Sequence, residues 1–169
     1  GTFGCRTFKP QTINPLIYSM ILQKKESYQD LIGLRQCIEF GTLQVIMDQS
    51  LNPEDAENLR QIATSIEREL DEPNPDPKLI CRTDIASHDA IAKATRNDLI
   101  VTVNEMLSKL TYGSRIRTIE QCIREQDRKY LVDIHFEILK ILEDRDTDTI
   151  AHTLKRSYSY WANLQMEEE

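Results

Sequence analysis

Glycine and proline are scarce in this chain of 169 residues, at five and six copies, and every proline lies at or before Pro77. Residues 78–169 therefore lack the residue that most effectively interrupts a helix. Valine is also rare, with four in all, whereas Leu, Ile, Glu, Lys, Gln and Arg are plentiful, a balance that favours helix over sheet. No apolar run approaches the roughly 18 residues that a membrane-spanning helix requires, and no signal peptide is visible. The four cysteines, Cys5, Cys37, Cys81 and Cys122, are scattered without a CxxC pair. That usage favours reduced thiols in a cytoplasmic protein over a secreted disulfide scaffold. An excess of positive charge is missing too. The net charge of −7 and a pI near 5.1 argue that this stretch does not itself wrap a nucleic acid backbone.

What the chain does have is apolar residues at helical spacing. The pattern predicts helices over about 13–24 and 27–49, and a third that starts at the cap-like Asn52-Pro53-Glu54 and runs through Leu59, Ile62, Ile66 and Leu70. Further helices are predicted over about 78–95, 98–111, 115–125, 127–143 and 146–165, with the proline-rich stretch 71–77 as a connector. Gly113 and the region 144–148 supply the breaks. The length suits one domain with a sizeable core. The expected fold is all-α, an antiparallel bundle of seven or eight helices.

An ideal helix turns 100° per residue, so each side chain can be assigned a direction. On the 78–95 helix, Arg82, Asp89, Lys93 and Arg96 gather on one side, opposite Ile80, Cys81, Ile85, Ile91 and Ala92. Asp84 and His88 fall within that apolar arc, and their i, i+4 spacing stacks them on one face. On the 127–143 helix, His135 sits among Leu131, Ile134, Ile138 and Leu142. On the last helix His152 shares the wet face with Asp148, Lys155 and Arg156, while Ser157 is the polar residue at the centre of the core side.

The interior is thus expected to receive a carboxylate, two imidazoles and a hydroxyl from three helices. A buried carboxylate needs a partner or a metal, and imidazole with carboxylate suits Zn²⁺, Ni²⁺ or Mn²⁺. The same wheel also fits a structural Asp84–His88 hydrogen bond with His135 as a satisfied core histidine. Arg35 lies beside the apolar stripe of its helix. It suits two-point binding of a carboxylate, or an ordinary ion pair with Glu39 on the helix face. Arg115 and Arg117 fit either a pocket wall or a solvated loop.

At these residues the sequence resembles the effector-binding C-terminal domain of the FadR-type branch of the GntR superfamily of bacterial transcription regulators, the FCD domain. The run Asp84-Ile85-Ala86-Ser87-His88-Asp89-Ala90-Ile91, with Ala94 and Asn97 after it, is similar to that family's D-x-x-F-H-x-x-I-x-x-A-x-x-N motif. His135-Phe136-Glu137-Ile138-Leu139 and Arg145-Asp146 resemble its H-x-x-I-L and R-D elements, and Leu31 to Arg35 with Glu39 resembles its opening L-x-x-x-R-x-x-x-E helix. The resemblance runs from about residue 14 onward. Gly1-Thr2-Phe3 resembles the G-T-F that closes the wing of the winged-helix DNA-binding domain in these regulators. Residues 1–12 are accordingly expected to be a remnant of wing and linker, and 13–169 the effector-binding domain.

The resemblance implies a ligand-sensing and dimerisation domain that binds a small organic or sugar acid inside the bundle. It would thereby modulate DNA binding by an N-terminal winged helix, as a cytoplasmic homodimer on pseudo-palindromic operator DNA. It implies no catalysis. Metal-binding members use one Asp and three His. Asp84, His88 and His135 match the first three positions, but the fourth falls on Ser157, and Ser87 stands where the motif has an aromatic residue. The expected metal ligands are Asp84, His88 and His135, for a divalent transition ion (Zn, Ni or Mn), and the expected effector-binding residues are Arg35, Asn97 and Ser157. Two other readings stay open: a metal-dependent enzyme built on the two-His-one-Asp set, and a metal-free helical interaction module.

Overall fold

A computed structural model describes residues 27–159, and these contain six helices and no strand. They are α1 (Ser27–Gln49), α2 (Pro53–Asp71), α3 (Pro77–Ala94), α4 (Asp98–Arg124), α5 (Arg128–Asp144) and α6 (Thr147–Ser157). The helix predicted over 13–24, the expected wing and linker remnant at 1–12, and the part of the last predicted helix beyond 159 lie outside the described residues. None of the described helices is long and apolar enough to cross a membrane.

The helix ends follow local chemistry. Asn52 and Asp76 each accept a hydrogen bond from the backbone N–H two residues on, with proline in the first helical position. Asn97 and Asp146 each cap with two backbone N–H groups. In a chain short of glycine, the left-handed residues that close these connections are Ser50, Arg96, Gln126 and Arg145, at φ of 68°, 55°, 60° and 55°. A side chain in that conformation costs about 1 kcal/mol relative to glycine.

The predicted break at Gly113 does not occur: α4 runs unbroken from Asp98 to Arg124. Its buried positions include Leu107, Ser108, Thr111, Ser114, Arg115, Thr118, Ile119 and Cys122, a stripe of three- and four-residue steps that passes straight across the glycine. Packing along that stripe outweighs the roughly 1 kcal/mol that an interior glycine costs a helix. Fusing the two predicted segments and losing the 13–24 helix from view leaves six helices where seven or eight were expected.

Helix α3 lies between α2 and α4 and packs most extensively on both, while α5 packs on α2 and α6 on α5. One apolar core gathers Leu43, Ile46 and Met47 of α1, Leu59 of α2, Ile138, Leu142 and neighbours of α5, and Ile150 and Leu154 of α6. A second joins Ile66, Leu70, Ile80, Cys81 and Ile119 across α2, α3 and α4. Two arginines tie helix ends together: Arg145 donates to the Met47 and Asp48 carbonyls at 2.6 and 3.2 Å, and Arg128 donates to the Leu70 carbonyl at 2.7 Å. Both satisfy carbonyls that a helix end leaves without partners.

Candidate effector cavity

A cavity of about 800 Å³, counted out to its mouth, opens inside the bundle. Its polar wall is built from five helices: Arg35 and Glu39 of α1, Asp84, Ser87 and His88 of α3, Arg115 and Thr118 of α4, His135 of α5, and Ser157 with Tyr158 at the end of α6. Apolar residues such as Leu59, Ile91, Ile134 and Ile138 complete it.

The i, i+4 spacing does place Asp84 and His88 together, and α5 brings His135 to them. His135 Nε2 lies 3.2 Å from Asp84 Oδ1, and His88 Nε2 lies 3.8 Å from the same oxygen. Both rings are anchored from behind. His135 Nδ1 is 2.7 Å from the Leu131 carbonyl, which can only accept, so Nδ1 carries the proton. His88 Nδ1 is 3.2 Å from Glu39 Oε1, and its Nε2 accepts from Arg35 Nη2 at 3.0 Å. Burial foremost, and then the Arg115 charge, push the His88 pKa down to about 3, in keeping with a neutral ring that accepts from a guanidinium.

The charges are balanced by two buried ion pairs. Arg35 Nε donates to Glu39 Oε1 at 2.6 Å, and the Arg35 guanidinium lies over the Tyr158 ring, 5.3 Å from its centroid. Glu39 Oε2 in turn accepts from the Tyr158 hydroxyl at 2.5 Å. Burial works against the Glu39 carboxylate, but Arg35 and its other neighbours outweigh it and hold its pKa at about 2. On the far side, Arg115 Nη1 donates to Asp84 Oδ2. The Arg115 side chain is only 4% exposed, and its Nε is fixed by the Thr111 hydroxyl at 3.2 Å. Burial opposes the Asp84 charge as well, yet Arg115 and the two imidazoles leave its pKa well below the usual carboxylate range. Burial, and then the nearby Arg35 charge, lower the Arg115 pKa.

A divalent ion does not fit this arrangement. Among the described residues, no group of three or more His, Cys, Asp and Glu side chains is placed to hold one. Asp84 already has a guanidinium on Oδ2, and His88 Nε2 is covered by another. Ser157, at the fourth position, turns its hydroxyl to the Leu154 carbonyl at 2.7 Å. Two arginines offset by two carboxylates leave no net negative charge to receive a dication. At an effective dielectric near 20, a dication roughly 5 Å from one guanidinium meets about 7 kcal/mol of repulsion.

The other expected site residues divide. Arg35 and Ser157 line the cavity. Asn97 does not: its side chain caps α4 by accepting from the Leu99 and Ile100 backbone N–H groups, at 3.0 and 3.3 Å. The Arg145-Asp146 pair is likewise architectural, one residue capping α1 and the next α6. Sequence reasoning missed Tyr158 and Thr118, and reached Glu39 as a motif position and a helix-face ion pair, not as part of a cavity wall. Thr118 Oγ1 is buried in the cavity wall without a hydrogen-bond partner. Arg115 stands in the wall, not in a solvated loop, and its place in the 107–111–115–118 stripe was the signal that could have shown this.

The FCD domain family model matches residues 30–159 of the chain. No curated protein and no solved structure matches it.

Proposed function

This chain belongs to the FCD domain family, the C-terminal domain of FadR-type GntR regulators, and from that premise we propose that its cavity senses a small organic or sugar acid inside the cytoplasm. Domains of this family are regulatory and effector-binding, not catalytic. The observation that carries the reading is the pair of buried guanidiniums, Arg35 and Arg115, in the wall of a cavity inside the bundle. A guanidinium is a planar fork of donors matched to a carboxylate. The metal-assisted form of this site, with Asp84, His88 and His135 as ligands, requires Arg115 to leave Asp84 and Arg35 to uncover His88.

Sensing then becomes a competition for Arg35. Glu39 holds this guanidinium together with the Tyr158 hydroxyl and His88. An acid that takes the guanidinium loosens the link between α1 and the end of α6. The ligand shifts the population between two packings of the bundle. DNA-binding winged helices attached ahead of α1, in a homodimer, would read that shift as altered spacing on a pseudo-palindromic operator.

A thermal-shift screen of small carboxylic and sugar acids, run with and without Zn²⁺, Ni²⁺ or Mn²⁺, tests the proposal. A cognate acid raises the melting temperature by mass action, and Arg35→Gln abolishes the rise. Acids that stabilise both proteins equally would place binding outside this cavity.

A further inference from the structure

In a site with a metal, the ion would sit on the Asp84 carboxylate between the imidazoles and present a fixed positive charge to the ligand. Here a side chain occupies that place on Asp84. Three observations define its position. Arg115 Nη1 is bonded to Asp84 Oδ2 and its Nε to Thr111, whose own hydroxyl donates to the Leu107 carbonyl at 2.7 Å. Residues 107, 111 and 115 are therefore stacked one turn apart on α4, and the guanidinium is held from its own helix before it meets α3. Ser157, where a fourth donor would come from, is turned away to the Leu154 carbonyl. The cavity wall next to Arg115 carries Thr118, one turn on, whose hydroxyl is buried and lacks a partner.

We infer that Arg115 is the resident cation of this cavity: it takes the place of a divalent ion on Asp84, so that the site receives an organic acid directly and without metal. The ligand class follows from the donors. It is a small carboxylate that also carries a hydroxyl or a second acid group, one end meeting Arg35 and the other the wall formed by Arg115 and Thr118. Arg115 is then the residue that decides between a metal-dependent and a metal-free site. This rests on the sensor reading above, and the test separates the two.

The 169-residue chain, dialysed against EDTA, is titrated with Zn²⁺ and Ni²⁺ by calorimetry and its metal content measured. The wild-type chain is expected to take up no stoichiometric ion, whereas Arg115→Met, which frees Asp84, gains at least tenfold in affinity for one ion. Arg115→Lys keeps the charge and stays metal-free, which guards against a methionine variant that fails to fold. One tightly held ion per wild-type chain overturns the inference with no variant needed. So does an unchanged Zn²⁺ affinity in a folded Arg115→Met protein. In a parallel arm, malate and gluconate are added to the EDTA-treated chain and melting is followed. Stabilisation that ignores added Zn²⁺ supports both claims. Stabilisation only with Zn²⁺ overturns the metal-free site and leaves the sensor standing. If neither acid shifts the melt under any condition, the sensor reading loses support, while the Zn²⁺ titration still decides the role of Arg115.

Discussion

Arg115 of α4 and Asp84 of α3 form an ion pair inside the bundle, with 4% and 15% of their side chains exposed. A pair so buried gains little over an apolar replacement, but removing one member strands the other charge in a low-dielectric interior. Asp84→Ala is therefore expected to cost about 3–5 kcal/mol. The combined Asp84→Leu and Arg115→Met variant should recover most of that loss. Urea unfolding of Asp84→Leu, Arg115→Met and the double variant measures the coupling. Additive losses would mean that the two groups do not depend on one another.

The same cavity makes stability sensitive to acid at an unusually high pH. His88 titrates near 6.5 in the unfolded chain and at about 3 in the folded one. The unfolded state therefore binds the extra proton first, and stability falls as the pH drops from about 6.5 toward 3. Glu39, held at about 2 against an ordinary 4.5, acts in the same direction. Its contribution is complete above about 4.5 and is lost as the pH falls toward 2, on the order of 3 kcal/mol in all. Melting temperature should decline from pH 7 to pH 5 in the wild-type chain. The decline over that window should be smaller in His88→Gln, which removes the buried imidazole and its depressed pKa.

How far the sequence revealed this site depends on the kind of side chain involved. The helices α2, α3 and α5 are legible because apolar residues recur along them at regular steps; on α1 the apolar spacing gives the helix but not its buried face, since Leu34 is exposed while Arg35 and Thr42 are buried. Asp84, His88 and His135 stood out as polar residues interrupting those stripes. On α4 the buried face includes Ser108, Thr111, Ser114, Arg115 and Thr118, which apolar periodicity does not register. On apolar spacing alone the glycine therefore reads as a break, and Arg115 fits a pocket wall or a loop equally. Asn97 was legible as a motif residue, but the motif position does not tell a cap from a ligand contact. Only the geometry at the start of α4 does. Tyr158 lies four residues after Leu154 and eight after Ile150, so its burial is periodic, but its bond to Glu39 spans 119 positions of chain, a relationship that no local pattern carries.

Two substitutions at single residues test the helix geometry. A methyl group added at Gly113 meets nothing within 4 Å, so Gly113→Ala should stabilise the chain by about 1 kcal/mol through helix propensity alone. Gln126 is exposed and left-handed at φ 60°, so Gln126→Gly should stabilise by about 0.5–1 kcal/mol by relieving that conformation. Had α4 broken at residue 113 with a glycine-specific turn, Gly113→Ala would lower the melting temperature instead.

Tyr158 offers a way to separate ligand binding from its transmission. Its hydroxyl donates to Glu39, which keeps Arg35 and His88 as partners when that bond is lost. Tyr158→Phe should cost about 1.5–3 kcal/mol of stability, as expected for one hydrogen bond to a charged group. It should leave the acid-induced thermal shift in place, since Arg35 and Arg115 both remain. What it should change is the protease sensitivity of the α6 end upon adding acid: the wild-type chain responds and the variant is already in the responsive state. An identical cleavage response in both proteins would remove Tyr158 from the switch.

Ser157→His, a change that restores the fourth histidine of the metal-binding pattern, should on its own leave Zn²⁺ affinity unaltered. The new imidazole would arrive beside a carboxylate whose second oxygen is bonded to Arg115 and an imidazole whose Nε2 is covered by Arg35. An extra neutral donor does not remove the positive charge that keeps a dication out. Combined with Arg115→Met, the same histidine joins His135 beside an Asp84 oxygen no longer held by a guanidinium. Zn²⁺ binding should then tighten at least tenfold beyond Arg115→Met alone, as one more ligand does in a closed shell. Calorimetric titration of the four proteins gives the comparison. A Zn²⁺ site gained by Ser157→His with Arg115 still in place would show that the number of donors, and not the buried charge, governs metal binding here.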